Sequence, residues 1–204
     1  MAEYILNTNI GEVPVIKPRR LDGYYGTIFV SYDRNIAFKV FKKGDSAFDR
    51  LARLYTFRSE VAAYTKITAD NLLGRHVPKF YGTLEVSNVV SSIEVLPDFN
   101  DTVAYCMEFI DAPFFGVVND SKAEATILNF KAVGVDYVKD ADFAIVNGVY
   151  KFIDFALIGV REELQKGEWY LLSDESKLQK LLAAFPFLAE IPKHYYVSEN
   201  SYDY

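Results

Sequence analysis

Asp154 closes an apolar run, Tyr150-Lys-Phe-Ile-Asp-Phe-Ala156, and Lys39 interrupts another, Ile36-Ala-Phe-Lys-Val-Phe41, 115 residues earlier. An anion and a cation held on separate apolar strands suit the clamping of a metal-bound triphosphate. The acid takes the metal and the ammonium takes phosphate oxygens. A third charge, Glu60, follows Lys39 by 21 residues. It falls on or beside a helix-spaced apolar stripe formed by Phe57, Val61, Tyr64 and Ile67. A carboxylate there needs a partner. Near Lys39 it would keep the ammonium charged and in place. Taken singly, each has an ordinary alternative: a surface lysine, a glutamate in local ion pairs, an aspartate capping a turn.

The elements that must position these residues are legible in outline. Gly23-Tyr-Tyr-Gly-Thr-Ile-Phe-Val30 reads as a strand interrupted by glycines, and Ser31 to Asn35 has turn chemistry. With Ile36 to Lys42 as a second strand, a hairpin is expected. Ser46 with Asp49 resembles a capping box opening a helix that runs to about Thr68. Val77 to Val86 and Val103 to Ile110 read as strands, with a short one near Ser92 to Leu96 between them. Asp120 could cap a helix to about Ala132, with Ile127 and Phe130 inward. Asn147-Gly148, the favoured type I′ pair, joins Ala144–Val146 to Val149–Ile153. The last helix spans 174–185, with Leu178, Leu181, Leu182 and Phe185 on one side. The first 20 residues, ending Lys17-Pro-Arg-Arg20, read as an irregular lead-in. This order of strands, one inserted helix, then helices around a short hairpin predicts an α+β, two-lobed arrangement.

Composition narrows the setting. The chain has 204 residues, enough for one domain or two small lobes sharing a cleft. Half of them are hydrophobic, ample for a packed core. The net charge is −6 and the basic residues are scattered, which argues against nucleic-acid binding. A single cysteine, Cys106, precludes an internal disulfide, and with only two histidines a structural zinc site is not expected. Met1-Ala-Glu-Tyr-Ile lacks a basic region followed by an apolar one, so no cleaved signal is expected. No 18-residue apolar run is present. These features predict a soluble protein in a reducing compartment such as the cytoplasm; separately, a monomer is expected.

Read in order, the motifs from residue 23 to about 185 resemble the protein kinase family. Ile36-Ala-Phe-Lys39 is similar to its Val-Ala-Ile-Lys strand, which would make Lys39 the phosphate-contacting lysine and Glu60 its helix partner. Gly23 and Gly26 look like a reduced glycine loop, without the family's three-glycine spacing; an ordinary turn fits them as well. Tyr105-Cys-Met-Glu-Phe-Ile110 resembles the strand entering the hinge between lobes. By that likeness Met107 backs the nucleotide pocket, and the backbone of Glu108 to Ile110 would hydrogen-bond adenine. Asp154-Phe155-Ala156 is similar to Asp-Phe-Gly and would make Asp154 a magnesium ligand.

The likeness frays at the catalytic loop, Gly134 to Val146. Asp136 lies 18 residues before Asp154 and would be the base that orients the acceptor hydroxyl, with Asp140 a second candidate. The family's histidine is missing. The position five after Asp136 is Ala141, so Asp142 would replace the usual asparagine as second metal ligand. There is no Ala-Pro-Glu element. The resemblance implies a kinase-like domain over the whole chain: a β-rich lobe at about 21–110, a reduced helical lobe at 111–190 and a tail at 191–204. It implies ATP and Mg²⁺ as cofactors and a Ser/Thr hydroxyl of a protein as acceptor. Size and motif degeneracy resemble the HopBF-type kinases that bacteria deliver into host cells, where they phosphorylate the chaperone Hsp90. The alternative is a pseudokinase, a nucleotide- or protein-binding module without turnover. A small-molecule phosphotransferase fits less well, since such enzymes usually need a larger helical lobe.

Overall fold

A computed structural model describes residues 2–18, 21–117, 120–133, 135, 142–154 and 171–184. The described residues form a mixed α+β structure with a β-barrel and three α-helices. The strands are β1 (Ala2–Thr8), β2 (Gly11–Lys17), β3 (Gly26–Ser31), β4 (Ile36–Phe41), β5 (Phe80–Ser91), β6 (Val95–Leu96), β7 (Thr102–Glu108), β8 (Phe115–Gly116), β9 (Asp142–Val146) and β10 (Val149–Ile153). The helices are α1 (Ala47–Ala69), α2 (Ser121–Ala132) and α3 (Asp174–Ala184). None of these helices is long and apolar enough to cross a membrane.

The larger sheet runs β1-β2-β3-β4-β7-β5-β6, and β5 also pairs with β1. That extra pairing closes six strands into an antiparallel barrel, with β6 as an overhang. Alternation decides what fills it. Leu6, Val15, Phe29, Phe38, Val40, Leu84, Val86 and Ala104 form a buried cluster, joined by Phe99 from the 3₁₀ turn Pro97–Phe99. The intervening residues Ala37, Phe41, Tyr105 and Met107 face outward and pack in a second cluster with Ala63, Tyr64 and Ile67 of α1. Ile127 and Phe130 of α2, with Phe143 and Phe152 of the smaller sheet, complete it.

Three expectations need correction. Residues 2–17 are not an irregular lead-in but the β1–β2 hairpin that closes the barrel, so the described β-rich part begins at residue 2 and not near 21. Its strands are hard to see because apolar residues fall on both faces: exposed Ile5 adjoins buried Leu6, and Val15 and Ile16 are buried side by side, which blurs the alternation. The glycine-interrupted strand at 23–30 begins only at Gly26, and the strand expected at 77–86 runs instead from Phe80 to Ser91. The β3–β4 hairpin and α1 match the expectation.

Helix α1 starts where Ser46 Oγ accepts from the Asp49 N–H at 3.0 Å. Asn147 and Gly148 both have positive φ, 51° and 80°, which gives the type I′ turn of the β9–β10 hairpin. That hairpin is fixed to the 3₁₀ turn Gly74–His76 and the residue after it, ahead of β5: His76 Nδ1 donates to the Tyr150 carbonyl at 3.0 Å, and Lys151 Nζ donates to the Val77 carbonyl at 2.9 Å. Asp120 caps α2 by accepting from the Lys122 and Ala123 amides, and Tyr150 Oη donates to its other oxygen at 3.3 Å. The expected end of the last helix, Phe185, and the tail lie outside the described residues.

Candidate active site

Strand β4 alternates, so Lys39 leaves the barrel on the face that α1 covers. Its side chain is 14% exposed. The ammonium lies 2.8 Å from both oxygens of Glu60 and 3.0 Å from Asp154 Oδ1. It also stands over the rings of Phe41 and Tyr105, 5.6 and 5.9 Å from their centroids. Residues from β4, α1 and the end of β10 thus meet at one nitrogen.

Glu60 is 1% exposed, a position that a carboxylate holds only with partners. Lys39 is one and Tyr105 the other, its hydroxyl donating to Glu60 Oε2 at 2.5 Å. Burial raises the Glu60 carboxyl above the usual range, and the Lys39 charge offsets part of that rise. Burial alone would lower the Lys39 ammonium. The charges of Glu60 and Asp154 outweigh it and hold the group above the ordinary lysine value. The lysine therefore stays a cation at neutral pH.

Asp154 is half exposed and has φ of +63°, a left-handed conformation unusual for a residue other than glycine. Such backbone is retained where the surroundings impose it, often at functional positions. Asp142 starts β9 and is the register partner of Ile153, which puts it beside Asp154. Burial first, and the Asp154 charge second, raise its carboxyl. Among the described residues no group of three or more His, Cys, Asp or Glu could hold a metal. Two adjacent carboxylates nonetheless suit magnesium, which commonly takes one or two and completes its shell with water and phosphate oxygens.

The glycines have a structural explanation. The Gly23 N–H donates to the Gly26 carbonyl at 2.8 Å, forming a tight turn, and Lys42 Nζ donates to the Gly23 carbonyl at 2.9 Å. A Cβ on Gly26 would come within 2.7 Å of the Val40 carbonyl oxygen, so the β3–β4 pairing itself demands glycine there. Met107 and Ile110 are buried. The Glu108 amide donates to the Lys79 carbonyl at 2.8 Å and the Phe109 amide to the Asn35 carbonyl at 2.9 Å. Those two donors are spent within the chain, which narrows the expected base contacts to carbonyls of this segment and the Ile110 amide.

Asp136 and Asp140 lie outside the described residues. The residue that the sequence reading missed is Tyr105. Its signal was a hydroxyl-bearing ring on an apolar strand, and only the β4–β7 register, Lys39 opposite Tyr105, gives that a meaning. No protein-family model, curated protein or solved structure matches the chain.

Proposed function

We propose that this chain is a minimal, atypical protein kinase that transfers the γ-phosphate of ATP to a Ser/Thr hydroxyl. The observation that carries the reading is the Lys39 ammonium held between Glu60 and Asp154, residues 21 and 115 positions away. In this reading a β-rich lobe formed by the barrel and a reduced lobe after residue 110 flank the nucleotide. Lys39, held by Glu60, binds phosphate oxygens, while Asp142 and Asp154 hold magnesium. Magnesium would neutralise charge on the transferring group. The chain's own part is positioning and fixed charge, with no covalent intermediate. Asp136 or Asp140 would orient the acceptor hydroxyl. A host protein such as the chaperone Hsp90 is the acceptor that the resemblance to HopBF-type effectors suggests.

A pseudokinase is the second reading. It is favoured by the missing catalytic-loop histidine, by Ala141 at the usual asparagine position, and by the direct Lys39–Asp154 contact, which a nucleotide must open. Incubation with γ-labelled ATP and Mg²⁺, followed by mass spectrometry, separates the two. A kinase yields phosphorylated protein that Asp154→Asn abolishes. Binding of MgATP with no transfer supports the pseudokinase, and no binding at all removes the kinase and favours a pure protein-binding module.

A further inference from the structure

Tyr105 and Lys39 are register partners on β7 and β4, so both reach toward α1 from the same face of the barrel. Both end on Glu60. They differ in how firmly they are held. The Tyr105 ring is 1% exposed and packed by Phe41, Phe57, Tyr64 and Phe80, with centroids 6.1, 6.5, 5.7 and 6.1 Å away. Closely packed interiors leave such a ring no other rotamer, so its hydroxyl stays aimed at the carboxylate. Lys39 has a long flexible stem and already divides its donors between Glu60 and Asp154. A triphosphate would compete for the same ammonium.

We propose that Tyr105 is a positioning residue that anchors Glu60, and with it helix α1, to the barrel independently of Lys39, so that the site stays assembled whether or not a nucleotide draws the lysine away. Glu60 lies in the middle of α1 and is buried, so fixing its carboxylate fixes the part of the helix that faces the site. The catalytic consequence rests on the kinase reading; the anchoring does not. An α1 held this way needs no separate event to bring it into place. Turnover would then be governed by the supply of nucleotide and acceptor, and not by a switch that moves the helix.

Hydrogen exchange of the α1 amides from Phe57 to Ala63, normalised to β3 and β4, tests the anchoring in the full chain. Tyr105→Phe keeps the ring and removes one hydrogen bond to a charged group, so α1 exchange should rise about tenfold relative to the barrel. Lys39→Met should leave that ratio nearly unchanged. So should Glu60→Gln, whose amide oxygen can still accept from Tyr105. If Lys39→Met alone releases α1, or Tyr105→Phe does not, the proposal is overturned; the Lys39→Met result decides even if Tyr105→Phe fails to fold. In a phosphotransfer assay Tyr105→Phe should raise the KM for MgATP about fivefold and also lower kcat, because Lys39 is less well placed. Loss of folded protein would lower kcat alone, and that outcome would reduce Tyr105 to a packing residue. If wild-type protein transfers no phosphate, the kinase reading fails while the exchange result still decides the anchoring.

Discussion

Asp142 and Asp154 share one end of the β9–β10 hairpin, because Asp142 pairs across the strands with Ile153 and Asp154 is the next residue. Two like charges brought together in this way raise the cost of ionising both. They lower that cost again when a divalent cation sits between them.

Metal binding should therefore depend on Asp142 and on pH. With a non-hydrolysable ATP analogue present, Asp142→Asn should weaken Mn²⁺ binding by about tenfold. The Asp142 carboxyl is raised above its ordinary value of 3.8, so protons compete with the metal over a window beginning above that value. Wild-type affinity should fall as pH drops through the raised value, and the decline should be shallower in Asp142→Asn. Calorimetric titration at several pH values measures both. Equal affinities for the two proteins would remove Asp142 from the metal site.

The two carboxylates that Lys39 bridges should differ in their effect on stability. Lys39→Met leaves Glu60 buried without its cation; with Tyr105 still holding α1 in place, the cost of about 3 kcal/mol falls on the whole cooperative fold. Asp154→Asn removes an ion pair whose acid is half exposed, and asparagine tolerates the left-handed backbone, so the cost should stay below about 1 kcal/mol. Urea unfolding of the two variants compares them directly. An equal loss in both would mean that Asp154, and not Glu60, carries the structural load.

Burial first and the Glu60 charge second push the hydroxyls of Tyr64 and Tyr105 well above the ordinary tyrosine value of 10.0. A raised value means that the native state keeps its proton after the unfolded chain has lost it. Stability from these groups is then complete below about pH 10 and is lost as pH climbs above it. Lys39, raised above 10.5, acts in the same direction at still higher pH. The urea midpoint should fall between pH 9 and 11, and Tyr64→Phe with Tyr105→Phe should flatten that fall.

How much of this was readable beforehand depended on the distance over which each feature is determined. Lys39, Glu60 and Asp154 could be found because a charge among apolar neighbours stands out locally, and Asn147-Gly148 because a two-residue turn carries its own conformational demand. Helix α1 announced itself through Ser46 and its apolar stripe. Barrel closure could not be read, since β1 gains its meaning from β5, some 80 residues away, and the exposed Ile5 beside buried Leu6 hides the alternation of β1. For Gly26 the sequence leaves a reduced glycine loop and an ordinary turn both open, because nothing local shows that the Val40 carbonyl lies against it. Tyr105 needed the register of two non-sequential strands. The roles of Asp136 and Asp140 rest on spacing alone.

The β1–β2 hairpin should prove integral to the fold. Leu6 and Val15 are fully buried inside the barrel, and replacing either with alanine should cost about 2–4 kcal/mol. A chain lacking residues 1–17 should lose the cooperative transition in thermal unfolding followed by circular dichroism. Native-like melting of the shortened chain would show the hairpin to be an accessory.

A flat sheet of this size would end in two rows of backbone donors and acceptors open to any passing strand. Bending β1 round to β5 lets those rows saturate one another, and only the two-residue β6 is left at the margin of the larger sheet. The larger sheet thereby guards itself against strand-by-strand aggregation without spending a helix as a shield.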